Sequence, residues 1–175
     1  MSEIKILFTR EQIAKRVAEM GEQITQDFSG QTIIFVGILK GACIFLSDLA
    51  RSVQLDATFD FISCSSYGKG ARSIGEVKLI KDLDQSVQDK NVILVEDILD
   101  TGLTLSYLKK LLTAHQPRSM KVAALLDKPS RRVQPVKADY TGFEIPDHFV
   151  IGYGMDYAER YRNLPSIGVL PPELF

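Results

Sequence analysis

Three carboxylates and a hydroxyl-rich glycine turn close the aliphatic run Val92 to Thr104, VILVEDILDTGLT. Adjacent residues on a strand point to opposite faces, so Glu96 and Asp97 together put at least one carboxylate against whatever covers the sheet. A buried free carboxylate is costly unless something donates to it. Sugar hydroxyls or a hydrated Mg²⁺ would meet that need, because carboxylates accept strong hydrogen bonds and hard cations choose oxygen. The alternative is that the strand ends one residue earlier and both acids are solvated. In Asp100-Thr101-Gly102-Leu103-Thr104 the glycine permits a tight turn, the first N–H groups of the next helix lack partners, and two threonine hydroxyls add donors. Such a loop suits a phosphate monoester. The plainer reading makes Asp100 an N-cap for a helix beginning near Leu103.

These groups need a frame to position them. Lys40-Gly41 follows the apolar run Thr32 to Leu39, and Asp127-Lys128 follows the apolar run Lys121 to Leu126. Open parallel sheets collect ligands at the carboxyl ends of their strands, and three apolar runs here end in unusual polar groups. The intervening segments have helical spacing. Thr9 and Gln12 match a capping box, with Ile13, Val17, Met20 and Ile24 on one face and Gly30 as a terminator. Ala42 to Val53 is a second helix, and the segment after Gly102 is a third with Leu105, Leu108, Leu111 and Leu112 inward. Ala57 to Tyr67 alternates as a strand, and Glu76 to Lys81 is a short one. Between them SSYGKGARSIG has the glycines, serines and cations of a mobile loop. Central strands apolar on both faces, separated by helices, predict an α/β fold with a mostly parallel sheet flanked by helices. From Pro129 onward the pattern breaks into short polar and aromatic pieces, with strands near Tyr140 and Phe149 that extend the sheet edge or form a lid. No linker or repeat intervenes, so residues 1–175 read as one domain, with that last part a cap on it.

Composition bounds the partners. With 45% hydrophobic residues the chain closes a sizeable core, and a formal charge of -1 leaves no global basic field for nucleic acid or an anionic membrane. No leader-like h-region or membrane-length apolar run is evident, which predicts a cytoplasmic protein. Cys43 and Cys64 are far apart without a CxxC pattern, and read as reduced core or near-core residues rather than metal ligands or a disulfide.

VILVEDILDTGLT resembles the 5-phosphoribosyl-1-pyrophosphate (PRPP) signature of the type I phosphoribosyltransferases. Four further segments, in order, narrow the resemblance to the hypoxanthine-guanine phosphoribosyltransferases, particularly the short bacterial enzymes: ILKGA at 38–42, SSYG at 65–68, LLDKPSRR at 125–132 and PDHFVIGYGMDYAERYRNLP at 146–165. Together they cover nearly the whole chain. The resemblance implies the type I phosphoribosyltransferase fold with a small hood, contributed mainly by residues 130–175. It also implies transfer of the phosphoribosyl group from PRPP to N9 of a 6-oxopurine, with Mg²⁺ as cofactor, and assembly as a homodimer or homotetramer.

Carried over by position, the resemblance sets Glu96 and Asp97 on the ribose hydroxyls and the Mg²⁺, and Asp100, Thr101, Gly102, Leu103 and Thr104 around the 5'-phosphate. Asp100 becomes the candidate for proton exchange with N7 of the base. Lys40 and Gly41 bind pyrophosphate after a cis peptide at Leu39–Lys40, and Arg162 adds a cation for the same group. Asp156 is a Mg²⁺ ligand. Lys128, with three donors and no acceptor, suits the 6-oxo group of a purine and not the 6-amino group of adenine. Phe149 stacks on the base and the Val150 backbone meets its edge, while Ser66 and Tyr67 begin a lid that closes over the reacting centre. Without the resemblance, Lys40, Asp156 and Arg162 would pass as surface charges and Phe149 as core packing. Two rivals remain from other classes. RNA-binding attenuators of pyrimidine genes share this fold and signature but need a basic face, which a pI of about 6.1 opposes. A doubly wound phospho-acceptor module would leave the Thr-Gly-Leu-Thr loop without a role.

Overall fold

The chain begins with a short strand, β1 (Lys5–Phe8), and enters helix α1 (Arg10–Asp27) through the predicted capping box. The Thr9 hydroxyl accepts from the Gln12 N–H at 3.3 Å, and the Gln12 amide oxygen accepts from the Thr9 N–H at 2.9 Å. Ile13, Val17, Met20 and Ile24 are all buried, as their spacing requires. Then come β2 (Ile33–Leu39), α2 (Cys43–Ser52), β3 (Ala57–Tyr67), β4 (Glu76–Lys81), β5 (Asn91–Leu99), α3 (Leu103–Thr113), β6 (Ser119–Asp127), β7 (Tyr140–Glu144), β8 (Val150–Ile151) and β9 (Ile167–Val169). This computed structural model describes residues 4–67 and 76–171. The loop predicted to follow Ser66 and Tyr67 therefore falls, at 68–75, outside the described residues.

The main sheet has the order β4-β3-β2-β5-β6-β7, parallel throughout except for the antiparallel edge strand β4. Both faces of its central strands are covered. Ile33, Phe35, Ile93 and Val95 join α1 and α2 in one core, while Ile34, Val36, Val92 and Leu94 join α3 in the other. Residues of alternate parity thus feed opposite cores, which is why these strands read as unbroken apolar runs. Of the α3 leucines, Leu105, Leu108 and Leu112 are buried, but Leu111 is only partly so.

Three local expectations need correction. β5 does not stop before its acids: it runs through Glu96 and Asp97 to Leu99, paired with β6 as far as Leu99↔Asp127, so the solvated alternative for both acids fails. Cys43 is exposed, because α2 turns Phe45, Leu46 and Leu49 inward and leaves its first residue on the outer side. The two late strands separate: β7 extends the main sheet at its β6 edge, whereas β8 joins β1 and β9 in a small antiparallel sheet of order β1-β9-β8. The N-terminal strand thus completes the structure built by the C-terminal segment.

Candidate active site

β2, β5 and β6 lie side by side and parallel, so their carboxyl ends open onto one place. Lys40 follows the first, Asp100 the second and Lys128 the third. The Lys128 N–H donates to the Leu99 carbonyl at 2.9 Å, which ties two of the three ends together. The Leu39–Lys40 peptide is cis. Behind it Gly41 is pressed from two sides: a Cβ there would lie 1.8 Å from Asp97 Oδ2, and a Cβ on Gly154 would lie 2.1 Å from the Gly41 carbonyl oxygen. Only an absent side chain lets the β2 turn, the β5 acid and the 152–156 segment meet.

The loop after β5 wraps tightly before α3. Gly102 has φ +81° and is the N-cap, without a side-chain cap bond, and a Cβ there would come within 2.5 Å of Val136. Asp100 is therefore not the N-cap. Its Oδ1 instead accepts from Arg131 Nε at 3.2 Å, and its carbonyl accepts from Arg132 Nη1 at 3.1 Å. The Thr101 carbonyl takes the N–H groups of Val133 and Gln134 at 2.9 and 3.0 Å. A hollow of about 120 Å³ lies beside this loop, lined by Glu96, Thr101, Gly102, Thr104 and Leu105 among others. Leu103 opens α3 itself.

A larger cleft of about 310 Å³ brings together Asp97, Asp100, Lys128, Phe149, Val150 and Asp156 with Arg131, Asp147, Ile98 and Met155. Phe149 is 44% exposed and edge-to-face with Tyr157 at 5.8 Å, so it borders the cleft and is not a core residue. Val150 beside it is buried in β8. Lys128 is buried, with Nζ 3.7 Å from Asp147 Oδ1. A buried ammonium whose nearest carboxylate lies beyond hydrogen-bond reach keeps donors for something else in the cleft.

Lys40 and Arg162 converge on one acid. Lys40 Nζ is 2.8 Å from Glu159 Oε2, and Arg162 Nη2 is 3.6 Å from Glu159 Oε1 and 2.8 Å from Asp156 Oδ1. The hydrogen bond from Lys40 holds the Glu159 carboxyl below its usual range. Glu96 is 8% exposed, and burial followed by the Asp97 charge pushes its carboxyl well above the ordinary value. Burial also raises Asp97, whose Oδ1 accepts its neighbour's N–H, that of Ile98, at 2.9 Å. Among the described residues no three His, Cys, Asp or Glu side chains cluster as a ready metal cage. Asp97 and Asp156 line the same cleft, while Glu96 lines the smaller hollow. That donor set fits a cation such as Mg²⁺, which takes one or two carboxylates and keeps substrate oxygens and water for the rest.

Ser66 and Tyr67 close β3, with backbone pairing to Val77 and Glu76 of β4. The residues that sequence reading did not assign are Arg131, Arg132 and Glu159. The first two stand in the quoted LLDKPSRR, where Arg132 also pairs with the nearby Asp127, but both reach Asp100, about thirty positions upstream, and no local pattern points there.

A family model described as the phosphoribosyl transferase domain matches residues 3–158. The hypoxanthine-guanine phosphoribosyltransferase of Bacillus subtilis (strain 168) is 49% identical over 171 residues, 98% of this chain and 95% of that protein. A crystal structure of a hypoxanthine phosphoribosyltransferase from Staphylococcus aureus superposes with a TM-score of 0.94 at 46% identity, covering 98% of this chain and 93% of that one. A hypoxanthine-guanine phosphoribosyltransferase from Bacillus anthracis, solved with a HEPES molecule in the active site, gives 0.92 at 49% identity, covering 97% of this chain and all of that one.

Proposed function

This chain belongs to the phosphoribosyl transferase family, and on that premise we propose that it is a purine-salvage enzyme transferring the 5-phosphoribosyl group of PRPP to N9 of hypoxanthine and guanine. The products are IMP or GMP and pyrophosphate. The observation that carries the reading is the 310 Å³ cleft, in which a buried lysine, an aromatic ring and Asp100 face one another beside the acids Asp97 and Asp156. The relatives described above are enzymes by name, and nothing in them favours the RNA-binding alternative.

In this reading Lys128 donates to the 6-oxo group, Phe149 stacks on the ring and the Val150 backbone meets its edge. Glu96 and Asp97 accept from the ribose hydroxyls. The 101–104 loop and the first N–H groups of α3 hold the 5'-phosphate. Lys40, Gly41 and Arg162 receive the pyrophosphate, which displaces the Lys40–Glu159 contact. Both side chains of that pair are about two-thirds exposed, so solvent screens it and the pyrophosphate displaces it readily. As the N9–C1 bond forms, the bond from C1 to pyrophosphate breaks and Asp100 exchanges the base proton at N7. The transition state has oxocarbenium character, so these residues act mainly by positioning and by meeting charge on the leaving group. Asp156 and Asp97 would hold Mg²⁺, which supplies charge neutralisation of the pyrophosphate oxygens. Ser66 and Tyr67 begin the lid that excludes water.

The 175 residues form one such domain in this reading, its hood drawn mainly from 130–175, and the protein works in the cytoplasm as a homodimer or homotetramer. Among the described residues no helix is long and apolar enough to cross a membrane. An assay with PRPP, Mg²⁺ and hypoxanthine, guanine, xanthine, adenine or uracil tests the function. Turnover is expected with hypoxanthine and guanine and not with adenine or uracil; preference for adenine or uracil overturns the reading. Light scattering reads the assembly.

A further inference from the structure

We infer that Arg131 is a positioning residue for Asp100, selecting the rotamer that aims its carboxylate into the base cleft. The inference rests on the reading of Asp100 as the proton-exchange group. Asp100 stands where a helix N-cap would be expected, yet Gly102 takes that position and the Asp100 side chain makes no cap bond to α3. Among the described residues only Arg131 bonds that side chain, through Nε to Oδ1 at 3.2 Å. The second oxygen, Oδ2, has no protein donor among them and remains for a proton on the base.

Arg131 reaches across the cleft as well. Its Nη1 is 3.5 Å from Asp147 Oδ2, and the other oxygen of Asp147 lies 3.7 Å from Lys128 Nζ. One guanidinium therefore spans from the loop after β5 to the loop before β8. It also shares Asp147 with Lys128, so the lysine is not locked into an ion pair and keeps its donors for the base. The 3-10 turn Pro129–Arg131, beginning one residue past Lys128, carries the guanidinium to this point. Asp100, Arg131 and Asp147 have side chains 35%, 49% and 53% exposed. Pairs so exposed contribute little to folding. Their geometry matters instead through what Asp100 can reach, and a planar guanidinium fork fixes the relative placement of two carboxylates more rigidly than the freely rotating ammonium of a lysine.

The test is a double-mutant cycle with Arg131→Met and Asp100→Asn, together with Arg131→Lys. Arg131→Met is expected to lower kcat/KM for hypoxanthine by roughly 10- to 100-fold, up to the lower end of a general acid–base contribution because the proton-exchange group itself is retained, with KM for PRPP changed by less than about twofold. In the Asp100→Asn background the same change is expected to cost less than about threefold, because residues acting through one another are not additive. Arg131→Lys should recover part of the loss. The inference is overturned if Arg131→Met stays within about threefold of the parent, or if the two losses multiply. Should Asp100→Asn itself leave turnover unchanged, the underlying reading of Asp100 fails, a result distinct from failure of Arg131 alone.

Discussion

Asp97 Oδ2 lies where a side chain on Gly41 would begin, 1.8 Å from the ideal Cβ position. The second acid of β5 and the turn after β2 are thus in contact through the absence of a methyl group. Gly41→Ala is expected to lower kcat/KM for PRPP by on the order of 100-fold, because an ångström-scale misplacement near a reacting centre costs that much. Steady-state kinetics read it, and activity within about threefold of the parent would remove the contact from the site. Gly30→Ala is the control: φ is +73° there but nothing lies within 4 Å of the new Cβ, so it should cost roughly 1 kcal/mol of stability and leave kinetics unchanged.

Lys128 is 6% exposed, and its ammonium is 3.7 Å from Asp147. Lys128→Gln keeps much of the volume but loses the charge. A hydrogen bond from a charged donor is worth about 1.5–3 kcal/mol, so kcat/KM for hypoxanthine and guanine should fall by roughly 10- to 100-fold. KM for PRPP should hardly move. Unchanged efficiency with both bases would take Lys128 out of base recognition.

Glu96 binds its proton more tightly in the folded protein than in the unfolded chain, because burial and then the neighbouring Asp97 raise its carboxyl. The stabilisation that follows is complete below the ordinary carboxylate range and is lost as pH rises through the raised folded value. Thermal unfolding of the ligand-free protein and of Glu96→Gln, from pH 5 to pH 8, separates this group from the others. The parent should lose stability relative to the variant as pH rises; parallel curves would contradict it.

Tyr153 donates its hydroxyl to Asp48 Oδ2 at 2.6 Å, and burial, then this bond, raises the phenol above its usual range. The bond joins α2 to the 152–156 segment that presses on Gly41. Tyr153→Phe should cost about 1–2 kcal/mol, read by urea unfolding, since it removes a bond to a charged acceptor. No change in midpoint would mean that packing alone holds the segment.

Much of this protein is legible locally. The Thr9–Gln12 capping box, the α1 stripe and the doubly buried strands depend on neighbours three or four residues apart, or on alternation, so sequence order carries them. The acids and the Thr-Gly-Leu-Thr loop are legible for the same reason: strand end, turn and helix start are consecutive. The resemblance added which distant segments complete the site.

What the chain order by itself determined was the strand-and-helix series and the identity of the polar groups at the strand ends. Tertiary structure alone decided where those groups point. Asp100 could cap α3, face the cleft or do both; Gly102 takes the cap, and the Asp100 side chain bonds Arg131, thirty-one positions away. Phe149 could pack or stack, and its 44% exposure at the cleft edge follows from β8 leaving the main sheet for β1 and β9. Lys40 and Arg162 meet Glu159 only because the 152–162 segment folds back over the β2 turn. Periodicity encodes which face is buried, because burial is set by near neighbours. Ion pairs across a cleft depend on several loops closing together, and no local pattern records that closure.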